Sequence, residues 1–367
     1  MFQKTLSRLK EQGRYRSLQL PNGVDLTSND YLGMASHPAL RACATQALEG
    51  GLDIGSGGSR LLRGHTPEHE NLEVFAAAYF GAPASLFFAN GFIANYALLT
   101  TLPARGDVIV YDSLVHASMR DGLKACDAKS YKFAHMDLGA LEDSLKRHRD
   151  KADTLWIAVE SVYSMDGDCA PLSEIYDLAV RYDAMLMIDE AHASGALGEK
   201  GRGLAWDIVQ AHGYDRIVTL HTCGKAIGVA GGLVCASRSV VDYLVNKARP
   251  FIYSTAPLPL QSVLVKKSLE ILASDEGNQR RSQLFAISEK AQAMFGGVGT
   301  HIVPLMIGDD KRAVQVAGAL QEVGYDIRAI RPPTVPNGTA RLRLSLSSQI
   351  ALQDLESFYQ CYKDILD

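Results

Sequence analysis

Several features common to other functional classes are missing from this sequence, and each absence excludes something. Positive charge is not in excess: 37 Lys and Arg stand against 41 Asp and Glu, a formal net charge of −4. Neither nucleic acid nor an anionic membrane surface therefore has an electrostatic footprint here. No apolar run reaches the roughly 18 residues that suggest a membrane span. The opening Met1-Phe2-Gln3-Lys4, followed by a mixed polar helix pattern, lacks the apolar core of a signal peptide. Export and membrane association are not expected. Close cysteine pairs are absent too, since Cys43, Cys126, Cys169, Cys223, Cys235 and Cys361 are scattered. A zinc site or disulfide framework needs tighter spacing, so no metal is expected and the thiols read as reduced, in the cytoplasm.

Catalytic signatures are also missing. There is no HExxH of metalloproteases and no GxSxG elbow of α/β-hydrolases. Gly55-Ser56-Gly57-Gly58-Ser59-Arg60 is glycine-rich, but it departs from GxGxxG and follows no convincing strand, which argues against a dehydrogenase. Gly224-Lys225 lacks the upstream glycine and the following Ser or Thr of a P-loop.

What is present describes a globular chain of 367 residues, 47% hydrophobic and 21% charged, long enough for one large domain and a smaller one. A short helix from Leu6 and an extended arm through Pro21-Asn22-Gly23 occupy the first 40 residues. From 41 to 245, short apolar runs alternate with amphipathic stretches. The clearest strands are 85–88, 108–111, 154–159, 185–188, 216–220 and 232–235. Such runs predict an α/β domain with a mostly parallel sheet covered by helices on both faces. Residues 246–367, with a helical region at 259–297 and apolar runs at 301–307 and 340–345, predict a smaller α+β domain.

Open α/β sheets bind ligands beyond the carboxyl ends of their strands. Glu160, Asp189, Thr222 with Lys225, and His116 all stand just past predicted strands. Lys225, between glycines, suits an amine that forms a Schiff base with an aldehyde cofactor, although a loop lysine taken alone is usually solvated. Asp189 suits a partner for a protonated pyridine nitrogen, or equally a helix N-cap. His192, three residues on, is placed to reach the same ring. Asn90-Gly91-Phe92 opens an apolar helix whose free amides would cradle a phosphate, and His116 suits a stacking ring or a surface cap.

In order along the chain, Ser28-Asn29-Asp30-Tyr31-Leu32-Gly33, Gly55-Ser56-Gly57-Gly58-Ser59, Ser164-Met165-Asp166-Gly167-Asp168, Asp189-Glu190-Ala191-His192, Tyr253-Ser254-Thr255, Arg331-Pro332-Pro333-Thr334-Val335-Pro336 and Thr339-Ala340-Arg341-Leu342-Arg343 resemble the α-oxoamine synthases, fold-type I pyridoxal-phosphate enzymes. The resemblance runs nearly end to end. It implies pyridoxal 5'-phosphate bound covalently by Lys225, with Asp189 on the ring nitrogen and His116 stacked over the ring. It further implies Gly91 and Phe92 amides on the phosphate, Ser164, His192 and Thr222 completing the cradle, and Glu160 close by. Arg343 matches the arginine that takes an amino-acid carboxylate, and Arg16 and Thr334 match contacts to the acyl substrate. Because sites in this family lie between two subunits of a homodimer, Thr255 would reach the phosphate of the other copy. Ser59 stands where glycine-restricted relatives carry threonine, leaving room for an alanine methyl. The Arg-Pro-Pro-Thr-Val-Pro segment looks most like a biotin-pathway member. The implied reaction is decarboxylative joining of L-alanine to a pimeloyl thioester of coenzyme A or an acyl carrier protein. A glycine C-acetyltransferase is the main enzymatic alternative, and a non-catalytic fold-type I binding protein the alternative from another class. Departures from the pattern are Asn90, Arg63 and the pair Ala193-Ser194.

Overall fold

A computed structural model describes residues 2–366. Twelve strands are assigned within them. In chain order they are β1 (Val24–Asp25), β2 (Ala84–Phe88), β3 (Val108–Asp112), β4 (Lys129–Phe133), β5 (Leu155–Glu160), β6 (Ala184–Asp189), β7 (Ile217–Thr222), β8 (Gly232–Ala236), β9 (Ile302–Gly308), β10 (Tyr325–Asp326), β11 (Ala329–Ile330) and β12 (Ala340–Ser345). The chain divides into two compact units. The larger comprises Leu32–Tyr163 and Cys169–Arg281, and the smaller comprises the chain up to Tyr31, Ser164–Asp168, and the chain from Ser282 on. The expected boundary after residue 245 thus falls inside the larger unit, to which helix Pro259–Leu272 belongs. The N-terminal arm, expected to stand apart as residues 1–40, joins the smaller unit as far as Tyr31.

The larger unit is built on one seven-stranded sheet, ordered β2-β8-β7-β6-β5-β3-β4. Only β8 runs antiparallel to its neighbours; the other pairs are parallel. Strands β2, β5, β7 and β8 are buried along their whole length, which is why they read as unbroken apolar runs. Sequence reading missed β4, whose Lys129-Ser130-Tyr131-Lys132-Phe133 buries only Phe133. It lies at the sheet edge, where lysines block further pairing. Helices Gly91–Thr101, Ala117–Ala125 and Arg238–Lys247 pack apolar residues such as Leu98, Leu99, Met119, Leu123 and Leu244 into one core with the sheet. After β3 the chain adds β4 on one side and then β5, β6 and β7 on the other. This reversal of direction leaves a crevice at the carboxyl ends of β3 and β5.

The smaller unit holds an antiparallel sheet, β11-β12-β9, and the short parallel pair β1-β10. β12 is buried throughout. Asp309 caps helix Asp310–Glu322 by accepting the Arg312 N–H at 2.8 Å. Loop 164–168 is tied to β12, because Arg341 donates to Asp166 and to the Met165 carbonyl. Gly167 is required there. Its φ is +77°, and a Cβ would stand 2.3 Å from the Ile302 carbonyl oxygen. No helix among the described residues is long and apolar enough to cross a membrane.

Candidate active site

In the larger unit the strand ends deliver the expected residues to one rim. Glu160 and Asp189 close β5 and β6 and are register neighbours across the parallel pair. Both are buried, 1% and 4% exposed. Thr222 closes β7, and the turn after it presents Lys225, whose Nζ lies 2.6 Å from His192 Nε2 in a hydrogen bond. Gly228 follows at φ +70°, where a Cβ would stand 2.5 Å from the Ala35 backbone nitrogen, so only glycine lets this turn close. Cys223, beside the turn, is fully buried, and burial pushes its thiol well up. That leaves it a packing residue.

Asp189 accepts two N–H groups, from Ala191 backbone at 2.9 Å and from Asn95 Nδ2 at 2.6 Å. Asn95 Nδ2 also reaches Ser118 Oγ at 3.0 Å, and Ser118 Oγ lies 2.7 Å from His116 Nδ1. His116 caps helix Ala117–Ala125, with Nδ1 accepting the Ser118 N–H at 3.2 Å. Its outer face is open to solvent. Crowding of its inner edge holds the imidazole below its usual pKa; Asp189 opposes this, and the Lys225 and Arg120 cations add to it. Sequence reasoning gave Asn95 and Ser118 no part. The available signal was one amide in an otherwise apolar helix turn, Phe92-Ile93-Ala94-Asn95.

Helix Gly91–Thr101 starts at the same rim. Asn90 caps it, its side chain accepting the Ile93 N–H at 2.9 Å and its carbonyl the Ala94 N–H at 3.1 Å. Gly91 and Phe92 amides have no hydrogen-bond partner among the described residues and form the positive end of the helix. A Cβ on Gly91 would stand 3.0 Å from Thr222 Oγ1, so glycine leaves the space before Thr222 open. The Phe92 ring stands edge-on to His116 at 6.5 Å. Ser59 and Thr255 lie on a separate pair of loops, joined by the Ala256 N–H donating to the Gly58 carbonyl at 2.9 Å and by Ser56 Oγ donating to the Ala256 carbonyl at 2.9 Å. Thr255 is exposed there.

The smaller unit collects the remaining residues. Arg343, 6% exposed on β12, donates from Nε to the Ser164 carbonyl at 2.6 Å. Its Nη1 donates to Asn29 Oδ1 at 3.0 Å and Ser345 Oγ at 2.5 Å, and its Nη2 to Tyr31 Oη at 3.1 Å. Asn29 and Tyr31 come from the Ser-Asn-Asp-Tyr segment, whose purpose the sequence did not disclose. Burial raises the Tyr31 hydroxyl pKa, and Arg343 opposes the rise, so the phenol serves the guanidinium as a neutral acceptor. Arg16 Nη2 donates to Thr334 Oγ1 at 3.0 Å, which joins the two residues expected at the acyl chain. Arg14 is instead paired with Asp310 at 2.6 Å, leaving Arg16 the freer cation. Both arginines border a cavity of about 690 Å³ walled by Leu6, Leu9, Pro333 and Val335.

The larger-unit rim can bind an anion at a helix start, hold a planar cation against a carboxylate, and offer an amine beside imidazoles. Residues 21–359 match the family model described as aminotransferase class I and II. The 8-amino-7-oxononanoate synthase of Chromobacterium violaceum is 42% identical, covering 96% of this chain and 95% of that protein. The enzyme of the same name from Herminiimonas arsenicoxydans is 40% identical over the same shares. Among solved structures, serine palmitoyltransferase from S. paucimobilis with a bound PLP–myriocin aldimine superposes with a TM-score of 0.89. It is 25% identical and covers 99% of this chain and 96% of that one.

Proposed function

This chain belongs to the class I and II aminotransferase family and, within it, to the 8-amino-7-oxononanoate synthases, and from that membership we propose that it joins L-alanine to a pimeloyl thioester with release of carbon dioxide and free thiol, yielding 8-amino-7-oxononanoate for biotin synthesis in the cytoplasm. The observation that carries the reading is the meeting of Lys225, His192, Asp189 and His116 on one rim of the larger unit. The acyl carrier is coenzyme A or an acyl carrier protein, and the active form is a homodimer.

The donor set fits pyridoxal 5'-phosphate. Gly91 leaves open a cradle that a Cβ would fill, the Gly91 and Phe92 amides point out of a helix start, and a buried carboxylate and an amine stand on the same rim. When bound, this cofactor supplies an aldehyde carbon that takes amines and a ring that withdraws electrons from the adjoining carbon. Asp189 would hold the ring nitrogen, His192 the phenolic oxygen, and His116 the ring face, with Glu160 alongside. The Gly91 and Phe92 amides would hold the phosphate, Ser164 and Thr222 would complete the cradle with His192, and Thr255 would serve the site of the partner subunit.

Arg343 binds the alanine carboxylate in this reading, because a planar fork matches a carboxylate where an ammonium does not. Ser59 leaves space for the methyl group. Lys225 would hold the cofactor and, as a free neutral amine, would take the α-proton of the amino acid at Nζ. After the acyl group has been added and carbon dioxide lost, Lys225 returns a proton to the same carbon. Arg16 and Thr334 hold the far end of the pimeloyl chain.

The test is an absorbance titration of the cofactor-loaded protein with L-alanine, glycine and L-serine, before and after pimeloyl-CoA. A visible band that shifts with L-alanine, and thiol release only with the pimeloyl donor, is the expected result. A response confined to glycine and acetyl-CoA replaces the substrates, and failure to acquire a visible band refutes the enzyme reading.

A further inference from the structure

Helix Gly91–Thr101 buries Ala94, Ala97, Leu98 and Leu99, and among them it also buries Asn95, 4% exposed. A leucine would fill such a position without polar debt. Asn95 Nδ2 instead stands 2.6 Å from Asp189 Oδ2 and 3.0 Å from Ser118 Oγ, and Ser118 is itself fully buried. From Ser118 the chain of contacts continues to His116 Nδ1 at 2.7 Å.

Counting hydrogens sets the direction of every bond in this chain. An ionised carboxylate only accepts, so the amide turns its nitrogen toward Asp189. That nitrogen carries two hydrogens, and the second goes to Ser118 Oγ. The hydroxyl has a single hydrogen, which is left for His116 Nδ1. Nδ1 also receives the Ser118 N–H at 3.2 Å. A nitrogen that accepts from both is bare, so the neutral ring carries its hydrogen on Nε2.

We propose that Asn95 is a positioning residue whose one amide group sets both the orientation of the Asp189 carboxylate and, through Ser118, the Nε2–H tautomer of His116. This rests on the reading of Asp189 and His116 as cofactor contacts given above. One side chain thereby coordinates the group assigned to the ring's edge with the group assigned to its face. His116 then offers a fixed Nε2–H donor on its open side, and the acceptor Nδ1 is shut inside the protein.

The test is nitrogen NMR of holoenzyme labelled with 15N-histidine, the His116 signal being identified by its loss in His116→Gln. The wild-type protein is expected to show the pattern of a single Nε2–H tautomer. Ser118→Ala and Asn95→Ala leave Nδ1 the backbone Ser118 N–H at 3.2 Å as its one donor of settled direction, and should raise the Nδ1–H population, moving the shifts toward the average of two exchanging tautomers. Ser118→Thr, which keeps the hydroxyl, should restore the wild-type pattern. Both alanine variants should also lower kcat by about tenfold, the lower end of what an orienting partner is worth. Their KM for L-alanine should change by less than about twofold, since ground-state binding is untouched. A wild-type His116 protonated on Nδ1, or an unaltered pattern in Ser118→Ala, overturns the proposal. If the protein acquires no visible band, the functional reading fails instead, and the labelled imidazole still reports its tautomer in the cofactor-free chain.

Discussion

Asp189 in the larger unit and Arg343 in the smaller are both buried charged side chains on strands, 4% and 6% exposed, but their surroundings claim them to different degrees. Asp189 meets two protein donors, one at each oxygen, and a carboxylate has lone pairs for about twice that number. Arg343 spends Nε, both hydrogens of Nη1 and one of Nη2 on four protein acceptors, which leaves one of its five N–H groups uncommitted. The first charge is oriented and still has capacity for a ligand. The second is held nearly saturated, so two-point capture of a substrate carboxylate requires that Asn29, Ser345 or Ser164 give up a hydrogen bond. In the proposed reading, specificity for the amino acid would therefore draw on the network around β12 as well as on Arg343 itself.

The contrast is broken most severely at Lys225, the one amine on the larger-unit rim. Lys225→Ala should abolish the visible band formed with pyridoxal phosphate and cut turnover by at least about 10³-fold, with the melting temperature nearly unchanged. A variant that retains the band would show that the amine is not the anchor.

Arg343→Lys probes the saturated charge. The ammonium keeps the sign and loses the fork, so KM for L-alanine should rise about tenfold. The acceptors stranded at Asn29, Ser345 and the Ser164 carbonyl should also cost about 1–3 kcal/mol of stability in urea unfolding. A loss of affinity at unchanged stability would mean that the network adapts freely, contrary to the saturation seen here.

A third buried charge sharpens the same point through pH. Glu190, fully buried beside Asp189 in sequence, has its carboxyl lifted to about 7 by burial, against the donors Ala205 N–H, Ser161 hydroxyl and Leu204 N–H. The native state thus binds this proton more tightly than the unfolded chain, where the group titrates near 4.5. The stability it contributes is complete below about pH 4.5 and is lost as pH rises through about 7. Urea midpoints measured from pH 4.5 to about 8 should fall more steeply for the wild-type protein than for Glu190→Gln. Parallel curves would assign the proton elsewhere.

The smallest effect concerns backbone strain beside the rim. Met136 adopts φ +55° just after β4, where its N–H reaches Asp112 Oδ2 at 2.9 Å. Asparagine tolerates that conformation far better than an unbranched apolar side chain does. Met136→Asn should stabilise the protein by up to about 1 kcal/mol, a rise in melting temperature of about 1 °C for a chain of this length. A fall would show that the methionine side chain contributes more by packing than the backbone loses by strain.

How far the sequence discloses all this depends on distance along the chain. The strands β2, β3, β5, β6, β7 and β8 were legible because a buried strand must be apolar throughout. The rim residues were legible because each follows its strand within a few positions. The edge strand β4 was not, since an exposed strand carries no apolar signature. The domain boundaries were obscured because Ser164–Asp168 and the arm join the smaller unit from far along the chain, and no local pattern records such a crossing.

Sequence by itself determined that this is an α/β chain with a lysine, a carboxylate and two histidines at strand ends, and its resemblance named the family. Those properties are local, written in the periodicity of short runs and in the residue that ends each one. Tertiary structure alone decided which partners hold those groups. Asn95 meets Asp189 across 94 positions, and Arg343 meets Asn29 across 314. A hydrogen bond depends on position to within tenths of an ångström and on direction, and only the packed core brings such distant atoms into register.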